Sequence, residues 1–209
     1  VDSDEVAIRS TWRAIAGDGH DDHLDEVLVR HREPHRRYHT ATHVAHVLRT
    51  IDELGRDVHL TRPWAVRLAA LYHDAVYDPR SSGNEVASAA LASRVAVELG
   101  WGAADVAAVG SMILATEHHA AGEDSDTAVL LDADLGVLGA GSAAYLAYVD
   151  GVREEYRHVD EDAWRRGRAA VLQGFLDRPT IFATAPMRRR CEHRARRNLA
   201  AELAGLSAR

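Results

Sequence analysis

Apolar residues along this chain recur at three- and four-residue intervals, and no stretch alternates with the period of two that marks a strand. The pattern predicts an all-α protein. Helices are expected near residues 3–15 and 21–31, then, after the basic link Pro34-His35-Arg36-Arg37, near 39–54. A fourth begins where Thr61 can cap and Pro63 suits the first turn, and it runs to Tyr77. Asp78-Pro79-Arg80-Ser81 reads as a loop, and Ser82-Gly-Asn-Glu85 has the spacing of a capping box opening a fifth helix that ends before Gly100. Further helices are predicted near 105–119, 127–138, 142–157, 160–176 and 186–203. No internal repeat, low-complexity segment or long linker divides them. The expectation is a single all-α helical-bundle domain over residues 1–209, with a core near 35–140 and C-terminal helices over 141–206.

Composition narrows the class. A chain of 209 residues suits one domain, and 46% hydrophobic with 27% charged residues argues against disorder. No apolar run reaches the roughly 20 residues a membrane helix needs, so no membrane partner is expected. The stretch VDSDEVAIRS lacks the basic and apolar regions of a secretory signal. Cys191 is the one cysteine, which excludes an internal disulfide or a thiolate zinc site; a cytoplasmic protein is expected.

All 25 basic residues are Arg. Without Lys there is no Schiff-base, P-loop or kinase-type lysine chemistry. The net charge of −7 argues against a nucleic-acid partner. The Arg-rich tail, from Arg188 to Arg209, reads instead as a solvated helix face with pairs such as Glu192 to Arg196. Thirteen His make metal binding and proton transfer the natural chemistries to seek.

Helical phase, about 100° per residue, places the polar side chains. On the third predicted helix Val44, Val47, Leu48, Ile51 and Leu54 form the apolar face; His43 lies at its edge, with His39 and His46 further out. The fourth is apolar almost all round, as a central helix is, yet it carries His73 and Asp74 in its last turns. A buried carboxylate needs a partner, which an Arg or a metal could supply. On the seventh, Asp134 projects into the middle of a leucine face and Asp132 toward its outer edge. His43, His73, Asp74 and Asp134 thus face inward from three helices. Two imidazoles and two carboxylates suit a divalent ion with positions left open for water or substrate.

At these residues the chain resembles the HD superfamily of metal-dependent phosphohydrolases, whose ordered pattern is His … His-Asp … Asp on an all-helical fold. It is similar, more narrowly, to a bacterial family described as predicted members of that superfamily. The matching segments include Tyr38-His39-Thr-Ala-Thr-His43, Tyr72-His73-Asp74-Ala-Val-Tyr77-Asp78-Pro79, Asn84-Glu85, Leu131-Asp132-Ala-Asp134-Leu135, Arg153-Glu-Glu-Tyr156 and the stretch from Glu192 to Asn198. The resemblance implies His43, His73, Asp74 and Asp134 as ligands of a divalent ion (Mn, Fe, Co, Zn, Ni or Mg) and a phosphate ester as substrate, a small-molecule or nucleotide phosphomonoester or diester. Asp74 would also accept a hydrogen bond from the attacking water. His119, or His39, would protonate the leaving group.

Arg36 and Arg37 are candidate phosphate contacts, and His39 and Glu85 further candidates at the site mouth, Glu85 having a local role in the capping box as well. The same fold also carries di-iron oxygenases that use extra histidines, and a metal- or nucleotide-binding protein without turnover is a further alternative. No His-Glu-x-x-His or Gly-x-Ser-x-Gly occurs, so zincin and serine-hydrolase readings fall away, and Cys191 reads as structural.

Overall fold

The computed structural model describes residues 3–207; Val1, Asp2, Ala208 and Arg209 of the segments discussed above lie outside it. Ten α-helices and no strand occur among the described residues. They are α1 (Ser3–Ala16), α2 (Asp21–Arg30), α3 (Ala41–Leu54), α4 (Pro63–Tyr72), α5 (Asn84–Glu98), α6 (Ala103–Ala115), α7 (Ser125–Asp134), α8 (Ser142–Glu155), α9 (Glu161–Leu176) and α10 (Ala185–Ser207). A 3-10 turn, Leu135–Gly139, follows α7 directly.

The nearly all-apolar α4 is the central helix. Ala65, Val66, Leu68, Ala69, Ala70, Leu71 and Tyr72 are all buried, and α1, α3, α5, α6 and α7 pack around it. The face of α3 predicted from periodicity is the buried one, with His43 buried beside it. One continuous apolar cluster links Ile8 and Trp12 of α1 to Met187, Ala195 and Leu199 of α10.

Several helix ends differ from the sequence pattern, most of them through contacts with distant segments and one through a local loop. α4 stops at Tyr72, not Tyr77. The Ala75 amide turns back onto the Tyr72 carbonyl, and the buried Arg36 guanidinium donates to the Asp74 and Ala75 carbonyls at 2.7 and 3.2 Å. At the other end Thr61 makes no side-chain cap. The buried Asp126 carboxylate accepts the Thr61 and Arg62 amides instead, at 2.8 and 2.7 Å. The capping box expected from Ser82 does not form: Gly83 is the cap residue, and Asn84 closes the preceding loop by bonding the Asp78 amide and carbonyl. Glu85 is thereby left to face a cavity.

α7 is enclosed on nearly every side, so the single apolar face inferred for it was too narrow. Asp132, expected at the outer edge, is buried and accepts the Ala183 and Thr184 amides, both at 2.7 Å, just ahead of α10. Burial raises its pKa and those bonds oppose the rise. The helix also ends sooner than expected. At Gly139 a Cβ would stand 2.6 Å from that of the buried Cys191, so this glycine lets α10 lie close against the turn. On α10, Arg196 pairs with Glu192 at 2.8 Å as the spacing predicts. The pair is half-buried and ties α10 to the segment before it, Arg196 donating to the Leu176, Arg178 and Pro179 carbonyls, so this is not the solvated face expected. No single helix among the described residues is long and apolar enough to cross a membrane.

Candidate metal centre

The ends of three helices bring four side chains together. His43 sits in the first turn of α3, His73 caps the C-terminus of α4 with Asp74 next to it, and Asp134 is the last residue of α7. The two imidazoles meet Nε2 to Nε2 at 3.1 Å. Asp134 Oδ1 lies 3.1 Å from His43 Nε2 and 3.5 Å from His73 Nε2. Asp74 Oδ2 lies 3.0 Å from His73 Nε2 and 3.6 Å from His43 Nε2.

Nitrogens that face each other at this distance cannot both point a proton inward. His73 Nδ1 donates to the Ala70 carbonyl at 2.9 Å, so Nε2, facing the cluster, is the nitrogen that bears the lone pair when the ring is neutral. His43 Nδ1 is buried without a hydrogen bond, and that ring is held by packing, its centroid 4.8 Å from the Tyr38 ring.

Among the described residues the salt-bridge partners of the Asp74 and Asp134 carboxylates are all histidines; no guanidinium reaches them. An Arg partner for Asp134, open on sequence alone, is therefore not what the fold supplies. His43, His73 and Asp134 offer donor atoms within 4.8 Å of one another, a group that could hold a metal ion. Imidazole nitrogen with carboxylate oxygen is a donor set that suits divalent first-row ions and magnesium. Asp74 stands beside this trio.

The electrostatics follow from the crowding of acids and imidazoles. Burial works against ionised Asp134, yet bonds from His119, His43 and His73 hold its carboxyl well below the usual range. Asp74 is likewise lowered, burial being outweighed by the charges of His73 and His39. His73 is raised well above its ordinary value: burial opposes this, but Asp74 and Asp134 prevail.

Around the cluster stand two more histidines. His119 was placed by phase on a longer sixth helix, but α6 ends at Ala115 and His119 arrives from the following turn with a left-handed φ of 48°. Arg178 holds that turn by donating to the His118 and His119 carbonyls at 2.9 and 3.0 Å. His119 Nε2 lies 3.0 Å from Asp134 Oδ2, the oxygen turned away from His43, whereas His118 is exposed as expected.

His39 precedes α3, and its Nδ1 lies 2.7 Å from Glu155 Oε2, which also accepts from Tyr77 Oη at 2.9 Å. The other oxygen, Glu155 Oε1, accepts the Arg37, Tyr38 and His39 amides at 2.7, 2.8 and 3.0 Å. Burial disfavours a charge on His39, but Asp74 and the bond to Glu155 raise its pKa above the ordinary value. Glu155 is held down to about 2, with burial opposed by His39 and the backbone amides.

A cavity of about 570 Å³ opens from the cluster and is lined by His39, His73, Asp74, Glu85, His119 and Asp134 at its polar end. Arg36 and Arg37 do not line it. Arg36 is spent on Glu33 and on backbone carbonyls, and Arg37 bonds the Pro34 and Arg36 carbonyls at a separate crevice. Of the candidate residues, the fold thus joins His43, His73, Asp74, Asp134, His39, His119 and Glu85, and leaves the two arginines outside.

Glu155, Tyr77 and Arg178 were not found from sequence. Glu155 had a legible signal: it shares a face of α8 with Tyr145 and Val152, a carboxylate on an otherwise apolar stripe, which is the pattern that exposed Asp134. Comparison of the chain with protein-family models, with curated proteins and with solved structures found no match.

Proposed function

We propose that this protein is a metal-dependent phosphohydrolase of the HD type, with one divalent cation held by His43, His73, Asp74 and Asp134. The observation that carries the reading is the meeting of those four side chains from three helices with no guanidinium to neutralise them. When bound, a divalent cation supplies Lewis-acid polarisation of a phosphoryl oxygen and activation of water.

The chain's own groups do the rest. Asp74, partly open to the cavity, accepts a hydrogen bond from the attacking water. His39, its Nδ1 fixed by Glu155, turns its other ring nitrogen to the leaving oxygen and gives it a proton. His119 is engaged with Asp134 and acts as a positioning residue for that carboxylate, so the proton-donor role offered to either histidine passes to His39. The water oxygen bonds to phosphorus as one of its protons passes to Asp74, the phosphorus–oxygen ester bond breaks, the proton from His39 completes the alcohol, and the proton taken by Asp74 returns through solvent to His39.

His43→Ala and Asp74→Ala separate this reading from an inert bundle. Each is expected to lower bound metal and to reduce phosphomonoester turnover at least a hundredfold. Full retention of metal and turnover in both variants ends the proposal. A di-iron oxygenase on the same residues is the second reading, favoured by one feature: His119 Nε2 lies 3.0 Å from Asp134 Oδ2, so His119 would be the extra histidine that holds a second ion. Anaerobic iron loading with an optical test for a bridged pair distinguishes it.

A further inference from the structure

Beyond the metal cluster the cavity continues between the 3-10 turn, α8 and α9, and its chemistry changes. Val137, Leu138, Val152, Trp164, Val171 and Phe175 line this wall, together with the rings of Tyr148 and Tyr156. The guanidinium that lines it, Arg168, is already committed: it pairs with Glu202 at 2.7 Å and donates to Tyr148 Oη at 3.1 Å. His39 is likewise held by Glu155, and His119 by Asp134. A second negative charge placed against this wall, away from His39 and the metal cluster, would find no unpaired cation beside it.

Space is the second observation. Gly167 lies in the middle of α9 at the exposed rim of the cavity, and a Cβ built on it would meet no heavy atom within 4 Å. Glycine inside a helix weakens it relative to alanine. Here its effect is to leave room. A volume of about 570 Å³ with an apolar wall and a few polar groups at one end is the usual form of a small-molecule site.

We propose that this part of the cavity takes the apolar group of the substrate, so that the substrate is a phosphomonoester of an uncharged alkyl or aryl alcohol, with Gly167 setting the length it accepts. This rests on the phosphohydrolase reading above and names its substrate class. Water enters, phosphate and the apolar alcohol leave, and no other co-reactant is needed. Nucleoside diphosphates and sugar bisphosphates are excluded by the committed cations.

The test is calorimetric binding of non-hydrolysable alkylphosphonates, methyl to octyl, to the manganese-loaded protein. Affinity is expected to rise about threefold per methylene until the cavity is filled. Adenosine diphosphate should bind no more tightly than inorganic phosphate. Gly167→Phe should end the gain at shorter chains, with bound manganese reporting that the variant is folded. A flat chain-length series, or adenosine diphosphate binding above the phosphonates, overturns the proposal. Thermal stabilisation of the metal-free protein by the matching alcohols separates the two levels. Length-dependent stabilisation by alcohols without any phosphonate binding sinks the phosphohydrolase reading and the phosphomonoester with it. Phosphonate binding that ignores chain length sinks only the apolar specificity.

Discussion

His39 shows how much a single carboxylate can organise. Glu155 receives three consecutive amides on one oxygen and the His39 ring and Tyr77 hydroxyl on the other. The bond fixes which ring nitrogen faces the cavity and favours the protonated imidazole. If His39 donates the leaving-group proton, His39→Gln should slow hydrolysis of an alkyl phosphate by about a hundredfold or more. A phosphate ester of p-nitrophenol, whose anion leaves without help, should lose far less. Steady-state rates across a series of leaving groups measure the difference, and an equal loss for all of them would refute the assignment. His119 illustrates the opposite case, a side chain legible by type but not by position. It was expected on a helix face, whereas a strained turn, braced by Arg178, delivers it to Asp134.

Helix boundaries are decided here by partners far away in the chain. Asp126 receives the amides that precede α4, Asp132 those that precede α10, and Glu192 the Ile181 and Phe182 amides. A remote carboxylate satisfies orphan N–H groups as well as a local cap does, but it leaves no capping motif in the sequence. That is why Thr61 was read as a cap that the fold does not use, whereas at Ser82 a local loop closed by Asn84 and Asp78 displaces the expected box. The same holds for the end of α7, where close approach rather than a stop signal sets the geometry. Gly139→Ala would force the new Cβ onto Cys191, and an overpacked contact of this kind costs about 1–3 kcal/mol. Denaturant titration should show the loss, whereas Gly102→Ala, where nothing lies within 4 Å, should not show a packing penalty.

For the molecule as a whole, acid sensitivity has an identifiable source outside the metal cluster. His31 is buried, its Nδ1 bonds the Val27 carbonyl, and its Nε2 has no hydrogen-bond partner; burial pushes its pKa down to about 4. The unfolded chain therefore binds a proton that the folded chain refuses between pH 6.5 and 4. Stability linked to this group is complete above pH 6.5 and declines as pH falls through that window, by about 1.4 kcal/mol per unit. His31→Leu should reduce the stability difference between pH 7 and pH 5 by roughly 2 kcal/mol in denaturant titrations. An unchanged difference would place the acid sensitivity elsewhere.

The sequence by itself determined the helical class, the central place of α4, the buried face of α3 and the inward group His43, His73 and Asp134, with Asp74 beside it. Those properties follow from local periodicity and from the cost of burying charge, and both can be read along one helix at a time. Only the tertiary structure decided that Arg36 serves the backbone, that Glu155 holds His39, and that an apolar cavity adjoins the cluster. Each depends on which distant segments share a space, and a linear pattern carries no measure of that.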